Sequence, residues 1–395
     1  VETGGHELAR GHLDLAVASP GIPPAAPVLA ETMSRGVEII SEIELAYQLA
    51  RCRFAAVTGT NGKTTTTALL ASILEEAGVP TAAAGNIGWP LIDAISEVPE
   101  GGVIAVEVSS FQLWGIRSFR PEVAVLLNIA EDHTDWHGSV DAYVAAKARI
   151  TENQTSADHL LVNADDDRCV AIGGASAATV TSFTATRANP AGIGVDGGAI
   201  VVDGEPIVAV DDVPLGGIPG LEDAAAAIGA AVKLDVDPRA IARAVKAFRP
   251  MGHRFEVVAR ADDITYIDDS KATNPHATLA ALRGLSDVVL IAGGRSKGMD
   301  LSVLTGAVPP VTAVVAIGEA HAEVESVFAR LVPVERADSM EEAVRLAAKH
   351  AGPGGSVLLS PACASLDMYE SYAARGEDFA RAVRELLGAR GTDGD

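Results

Sequence analysis

The chain has 395 residues, of which 48% are hydrophobic, and carries a formal net charge of −23. This length predicts two or three domains, and the charge argues against nonspecific nucleic-acid binding, which needs clustered lysine and arginine. No apolar run reaches the roughly 18 residues of a membrane span, and Val1 opens no basic segment followed by an apolar one. We therefore expect a cytoplasmic monomer without nucleic-acid or membrane partners.

The first fifty residues are expected to hold a strand ending in a turn, a short helix and a second strand, from "DLAVASPGIP" to "VEII". Since they are too few for a complete domain, we expect residues 1–42 to be a shortened first domain. From Phe54 onward, apolar runs such as "FAAVTG", "GGVIAVEVSS" and "EVAVLLNI" alternate with helical stretches, the first over residues 63–76. Such runs are typical of strands buried on both faces of a parallel sheet.

The pattern changes between residues 181 and 215, where short runs punctuated by Gly and Asp predict antiparallel hairpins. Two alanine-rich helices follow over residues 221–234 and 238–248, and "RPMGHRF" predicts a boundary. Beyond it, alternation resumes with "ITYIDDSK", "VVLIAGG", "AVVAIG" and "SVLLSPA" as strands. The sequence therefore predicts an α/β protein with a central doubly wound domain over residues 43–249 and a Rossmann-like α/β domain over residues 250–395.

The stretch "GTNGKT", residues 59–64, lies between a predicted strand and a predicted helix, as a phosphate-binding loop requires. Glycines let backbone N–H groups approach an anion, Lys63 can neutralise phosphate oxygens and Thr64 can ligate Mg²⁺. The spacing departs from the common P-loop, whose first glycine would fall at Val57. The alternative is a strand-to-helix turn with an incidental lysine.

Two further polar residues follow later strands. Glu107 lies in the apolar stretch "AVEVSSF", where a carboxylate costs free energy unless it is paired or metal-bound, and His133 lies in "NIAEDHTDWH". Each alone is equally compatible with a structural role, as a hydrogen-bonded acid or a loop histidine. Combined with the glycine loop, they favour a metal–nucleotide site.

With these motifs the sequence resembles the Mur ligases, the ATP-dependent amide-bond-forming enzymes of peptidoglycan synthesis. The resemblance covers nearly the whole chain and rests on "GTNGKTTTT", "GNIG", "EVSSFQL", "NIAEDHTDWH", "YVAAKARI", "GHRFEVV", "DDSKATNP" and "LLSPACASLDMY". "SSFQL", "DSKATN" and "SPACASLD" narrow it to the branch that adds D-glutamate to UDP-N-acetylmuramoyl-L-alanine. The resemblance implies that the alanyl carboxylate attacks ATP to give an acyl phosphate, which the amine of D-glutamate then attacks.

The resemblance also implies roles for individual residues. Lys63, His133 and Lys147 would be catalytic, and Lys147 would carry a carbamate that bridges the second of two Mg²⁺ ions. The nucleotide would contact Gly59, Thr60, Asn61, Gly62, Lys63, Thr64, Thr65, Arg254 and Asp269, and the metal Thr64, Glu107, Lys147 and His133. The UDP-muramoyl substrate would contact Ser19, Gly21, Asn86, Ser109 and Gln112, and D-glutamate would contact Lys271, Thr273, Lys297, Ser365, Leu366 and Tyr372. Without the resemblance, Lys147 and Lys297 would be interpreted as solvated surface lysines.

Two departures from the family pattern stand out. The resemblance leads us to expect that this sequence begins about halfway through the family's UDP-substrate-binding domain and that a chain so shortened binds that substrate weakly. Pro219, Gly220 and Asp223 occupy positions where many relatives carry a His-Asn pair and a further Asn, one Asn facing the adenine, so no adenine contact is assigned. Two alternatives stay open: another amino-acid-adding ligase of the superfamily, such as one that extends folate with glutamate, and a noncatalytic nucleotide-binding relative.

Overall fold

The computed structural model describes residues 12–392. Contacts divide the chain into two compact units. The first comprises the residues up to Pro214 together with Glu222–Phe248, and the second comprises Leu215–Leu221 together with the chain from Arg249 onward. Within the described residues, no helix combines the length and apolar character that crossing a membrane requires.

The first unit contains eleven described strands and the helices that pack on them. Its strands are β1 Leu15–Ala18, β2 Glu38–Ser41, β3 Arg53–Thr58, β4 Thr81–Gly85, β5 Val103–Glu107, β6 Val123–Leu126, β7 His159–Asn163, β8 Thr179–Phe183, β9 Ile193–Asp196, β10 Ala199–Val202 and β11 Glu205–Ala209. Its helices are α1 Pro27–Ser34, α2 Glu42–Leu49, α3 Lys63–Glu76, α4 Leu91–Ala94, α5 Ser110–Trp114, α6 Thr134–His137, α7 Val140–Ala148, α8 Asp167–Ala175, α9 Gly217–Lys233, whose first turn falls in the second unit, and α10 Pro238–Ala247.

Nine strands form one sheet in the order β11-β10-β9-β8-β7-β6-β3-β5-β4. The part from β8 to β4 is parallel, and β3, β5 and β6 are buried almost throughout, as their continuous apolar runs predict. The predicted hairpins are confirmed as antiparallel β9, β10 and β11. Thr181, the first residue of the predicted hairpin region, lies instead in β8, which pairs in parallel with β7. The hairpins thus extend the main sheet.

The structure adds detail in the N-terminal segment and in the helix that follows the hairpins. Strands β1 and β2 pair in parallel as a separate two-stranded sheet, connected through α1. Helix α9 begins at Gly217, four residues before the predicted start. Pro219 is tolerated there because the N–H groups of the first helical turn have no intrahelical partner.

The second unit has a six-stranded sheet in the order β12-β13-β17-β14-β15-β16. Its strands are β12 Glu256–Ala261, β13 Ile264–Asp268, β14 Val288–Gly293, β15 Val311–Ile317, β16 Val334–Arg336 and β17 Ser356–Ala362, with helices α11 Pro275–Ala281, α12 His321–Phe328, α13 Met340–His350 and α14 Tyr372–Thr392. All pairs are parallel except β12 with β13. The predicted α/β class is confirmed, and the loops at the carboxyl ends of β13, β14 and β17 lie at one edge, where open α/β sheets bind ligands.

Candidate functional site

The predicted phosphate loop connects β3 to α3 and rests on the segment that follows β6. The backbone N–H of Thr60 donates to the carbonyl of Asn128 at 2.8 Å, and that of Asn61 donates to the Asn128 side-chain oxygen at 2.8 Å. A Cβ on Gly59 would press on the Cβ of Leu127 at 2.9 Å, so the loop approaches this support as closely as glycine permits. The segment after β6 therefore fixes the backbone conformation of the loop.

Lys63 opens α3 and folds back over the loop. Its Nζ donates to the carbonyl oxygens of Gly59 and Thr60, each at 2.9 Å. Gly62 precedes the helix with φ 85°, in the left-handed region, and an added Cβ would collide with the Asp223 carboxylate. Thr64 and Thr65 form the first turn with Lys63, where a helix N-terminus favours anions.

Lys147 lies on α7 and its side chain reaches the same loop. Only 1% of the residue is exposed, and its Nζ donates to the carbonyl of Gly59 at 2.7 Å and lies 4.8 Å from the ring centroid of Tyr143. Burial, and then the nearby Lys63 ammonium, hold the pKa of Lys147 well below its usual range. The Tyr143 hydroxyl lies 3.0 Å from the Thr60 hydroxyl, which links α7 to the loop.

Glu107 ends β5 and is 2% exposed. The Asn86 side-chain amide donates to its Oε1 at 2.7 Å, while Oε2 is buried and has no hydrogen-bond partner among the described residues. An uncompensated buried carboxylate oxygen is costly, and a cation would satisfy it. Glu107 also acts on the pKa of Lys147 through its charge, which puts the two groups near one another. The site thus fits a divalent cation.

His133 precedes α6 with φ 52°, and its ring contacts an aromatic cluster. The ring centroid lies 4.8 Å from that of Phe111 and 6.3 Å from that of Tyr143. Tyr143 also contacts Lys147 and the loop, so the fold brings His133, Lys147 and the phosphate loop together. The His133 side chain is 46% exposed, which leaves it accessible to a ligand.

The residues predicted to contact the muramoyl substrate lie in three separate places. Ser109 and Gln112 form a capping box at the start of α5: the side chain of each accepts a backbone N–H bond from the other, at 3.3 and 3.0 Å respectively. Both are buried, so their side chains have a structural role that the sequence analysis did not foresee. Asn86 lies beside Glu107 as described, and Ser19 and Gly21 lie in the exposed turn after β1.

In the second unit, Asp269 follows β13 and is buried. Its carboxylate accepts the backbone N–H of Phe255 at 3.2 Å and the Ser360 hydroxyl at 2.8 Å. Burial raises the pKa of Asp269 from 3.8 to about 7, partly offset by the Ser360 bond and the Arg254 charge. The buried Nε of Arg254 has no partner within the described part of the chain. These two predicted nucleotide contacts therefore lie close together, and Nε of Arg254 is left to donate a hydrogen bond to a ligand.

The predicted amino-acid pocket is assembled from three carboxyl-end loops. Lys271 follows β13, and its Nζ lies 5.0 Å from the ring centroid of Tyr372, while the Thr273 N–H donates to the Lys271 carbonyl. Lys297 is exposed in the loop after β14, and buried Ser365 and exposed Leu366 follow β17. Backbone hydrogen bonds between Arg295 and Ala364, 2.8 and 3.0 Å, join the second and third loops.

The sequence predicts no role for two residues beside this pocket. Arg375 of α14 is 1% exposed and donates to the Ser270 hydroxyl, the Ser270 carbonyl and the Cys363 carbonyl at 2.8–3.1 Å. Burial lowers its pKa to about 10. Nδ1 of His253 donates to Oδ2 of Asp268 at 2.7 Å. An arginine in an amphipathic helix is expected to be solvated, so no local signal distinguished Arg375 from its exposed neighbours.

The chain is similar to known proteins along nearly its whole length. Residues 57–203 match the Mur ligase middle domain, and residues 253–363 match the domain described as "Mur ligase, glutamate ligase domain". A UDP-N-acetylmuramoylalanine–D-glutamate ligase of Frankia casuarinae is 43% identical over 98% of this chain and 84% of its own length. A protein of the same name from Geobacillus kaustophilus is 38% identical over 98% of this chain and 87% of its own length.

Solved structures support the fold. MurF of Acinetobacter baumannii aligns with a TM-score of 0.65 at 20% identity, over 90% of this chain and 87% of that one. MurF ligase of Thermotoga maritima, solved in complex with ADP, aligns with a TM-score of 0.63 at 16% identity, over 92% of both chains. Because relatives of 38–43% identity cover 98% of this chain and both matched domains are Mur ligase domains, this chain belongs to the Mur ligase family.

Proposed function

We propose that the chain is an ATP-dependent ligase that joins D-glutamate to UDP-N-acetylmuramoyl-L-alanine through an acyl phosphate, in the cytoplasmic synthesis of peptidoglycan precursors. The observation that carries the proposal is the 43% identity, over 98% of this chain, to a ligase of that name. The reaction class suits the site, because a carboxylate is a poor acylating group until phosphate becomes its leaving group, and that step needs cations around the phosphates.

The phosphate loop is the proposed site of the ATP phosphates. Lys63, whose Nζ lies over the loop carbonyls, and the N–H groups of the first turn of α3 would bind the β- and γ-phosphate oxygens. Oε2 of Glu107 is buried and has no hydrogen-bond partner in the described part of the chain, which supports a Mg²⁺ site that Thr64, Lys147 and His133 would complete. When bound, Mg²⁺ would neutralise phosphate charge as the carboxylate approaches.

The carbamate on Lys147 is supported by the environment of its amine. The lowered pKa leaves a larger share of this amine neutral, and the neutral amine is the form that reacts with CO₂. A carbamate would place a negative charge in a buried site that also contains the Lys63 ammonium. It would thereby supply oxygen ligands, which Mg²⁺ prefers.

The second unit supplies the remaining proposed contacts. Arg254 and Asp269 would bind the nucleotide, and Lys271, Thr273, Lys297, Ser365, Leu366 and Tyr372 would bind D-glutamate. Two lysines beside hydroxyl donors suit a dicarboxylate. Ser19, Gly21, Asn86, Ser109 and Gln112 would face the UDP-muramoyl substrate. We accordingly assign residues 1–42, 43–249 and 250–395 to the UDP-substrate, ATP and amino-acid parts of a monomeric enzyme.

The test measures phosphate release from ATP with Mg²⁺ and UDP-N-acetylmuramoyl-L-alanine, with D-glutamate present or omitted. We expect release that depends on D-glutamate and that L-glutamate does not replace, with the amide product identified by mass spectrometry. Glutamate-dependent release with tetrahydrofolate alone would instead indicate a folate-extending ligase. Nucleotide binding without release with any acceptor would indicate a noncatalytic relative and contradict the proposal.

A further inference from the structure

One histidine–carboxylate pair beside the predicted amino-acid pocket has no role in the function proposed above. Nδ1 of His253 lies 2.7 Å from Oδ2 of Asp268, and the histidine side chain is 19% exposed while that of Asp268 is 1% exposed. Asp268 also accepts the Ser270 N–H at 2.9 Å. A buried carboxylate on Nδ1 selects the tautomer in which Nδ1 carries the proton, so the lone pair of Nε2 is left for a ligand.

The surroundings fix this pair in place. His253 has φ 65°, a left-handed conformation that costs about 1–3 kcal/mol in a residue other than glycine and that tends to occur at functional sites. Its backbone N–H donates to Glu256 at 3.0 Å. Helix α14 passes so closely that a Cβ on Gly376 would collide with both Nδ1 of His253 and the Asp268 carboxylate. The imidazole therefore has little freedom to turn away from Asp268.

The pair also borders the residues predicted to bind the amino acid. The Lys271 N–H donates to the His253 carbonyl at 3.1 Å, and the His253 and Tyr372 ring centroids are 6.4 Å apart. The Lys271 ammonium lies over the same Tyr372 ring. Nε2 has no hydrogen-bond partner among the described residues, since His253 makes its contacts through Nδ1, the backbone and the ring face.

We propose that His253, oriented by Asp268, is the proton acceptor for the ammonium group of the incoming amino acid. This inference rests on the proposed function, in which the amino acid must attack as a neutral amine. One ammonium proton passes to Nε2 and gives an imidazolium whose Nδ1–H faces Asp268. The amine lone pair then forms the C–N bond, the C–O bond to phosphate breaks, and the second amine proton leaves with the inorganic phosphate.

Hydroxylamine separates this role from a structural one, because its nitrogen is already unprotonated at neutral pH and needs no proton acceptor. Phosphate release is measured with ATP, Mg²⁺ and UDP-N-acetylmuramoyl-L-alanine, using either D-glutamate or hydroxylamine as nucleophile. For His253→Gln we expect kcat with D-glutamate to fall about 100-fold or more at pH 7. Hydroxylamine-dependent release should stay within about threefold of the unaltered protein. Asp268→Asn should show the same split to a smaller extent.

The pH profile gives a second readout. The charged and titratable groups around His253 are Asp268, Glu256, Lys271, Tyr372 and Arg375. With D-glutamate, the activity of the unaltered protein should reach a plateau as the pH rises, whereas that of His253→Gln should keep rising with pH, following the free amine. His350→Gln is the matched control, because His350 pairs with Glu335 in the same unit and away from the pocket residues.

The outcomes are distinct. Equal loss with both nucleophiles in His253→Gln, or retained activity with D-glutamate, would overturn the proton-acceptor role while leaving the ligase assignment intact. Absence of release with either nucleophile in the unaltered protein would remove the proposed function and this inference with it. A selective loss with D-glutamate, absent in His350→Gln, would establish the role.

Discussion

Nζ of Lys147 lies 2.7 Å from the carbonyl oxygen of Gly59, so the buried amine of α7 contacts the first glycine of the phosphate loop. A lysine in this position contacts the loop proposed to bind the nucleotide phosphates, and burial lowers its pKa. Its protonated form is disfavoured in the folded state. Between the folded pKa and the unfolded value near 10.5, the unfolded chain binds more protons, so this residue makes the protein more stable as the pH rises.

We expect the activity to depend on dissolved CO₂, because the carbamate forms from the neutral amine. With ¹³C-labelled bicarbonate, the unaltered protein should show a carbamate signal that is absent in Lys147→Met. That variant should remain folded and lose at least about 100-fold in kcat, on the scale of a lost electrostatic group in an active site. Lys246→Met, which alters an exposed lysine paired with Asp212, should keep both signal and activity. An identical ¹³C spectrum in Lys147→Met would contradict the assignment.

Glu107 should control the affinity for Mg²⁺. Glu107→Gln keeps an oxygen for the Asn86 amide but removes the charge, so we expect the Mg²⁺ concentration for half-maximal activity to rise about tenfold, equivalent to about 1.4 kcal/mol. The matched control is Glu44→Gln, since Glu44 is fully buried and its carboxylate accepts backbone N–H bonds from Arg117, Ser118 and Phe119. That change should lower stability without altering the Mg²⁺ titration. Equal Mg²⁺ curves for Glu107→Gln and the unaltered protein would refute the metal site.

Arg375 should be required for the stability of the second unit. Arg375→Met leaves the Ser270 and Cys363 acceptors without their donor, and each buried unsatisfied group costs about 1–3 kcal/mol. We expect a loss of about 3–5 kcal/mol in the free energy of unfolding, measured in urea. Arg381→Met lies on the same helix, but Arg381 is half exposed and pairs with Asp378 and Glu385. The loss of the Arg381 side chain should cost at most about 1 kcal/mol. A similar cost for both variants would show that the hydrogen bonds of Arg375 to Ser270 and Cys363 do not stabilise the unit.

Asp269 should make stability depend on pH in the acid-to-neutral range. Because its pKa rises from 3.8 to about 7, the folded protein binds the extra proton, and its contribution to stability declines as the pH rises through this window. Between pH 5 and pH 7 the loss amounts to about 2–3 kcal/mol, at about 1.4 kcal/mol for each pKa unit. Asp269→Asn removes this slope. Urea unfolding at pH 5 and pH 8 should therefore show a smaller difference for Asp269→Asn, and an unchanged difference would count against the shift.

Local signals in the chain determined the α/β class, the strand-to-helix phosphate loop and the helix bounds at Lys63 and Glu76, because apolar periodicity and glycine placement depend on neighbouring residues alone. The family motifs, quoted residue by residue, determined the membership that the comparisons confirm. The roles assigned to individual residues remain predictions. These features of the fold could be predicted from the sequence. The start of α9 and the joining of the hairpins to the main sheet could not.

Only the tertiary structure decided which distant residues meet. Nothing in the sequence places Tyr143 against Thr60 or Asp268 against His253, because each pair is joined across loops whose path depends on packing. Burial likewise sets chemistry that composition cannot: it turns Lys147 from an apparent surface cation into a low-pKa amine and makes Arg375 a buried donor between two loops. The physical reason is that desolvation and hydrogen-bond geometry arise from the environment of a side chain, not from its type.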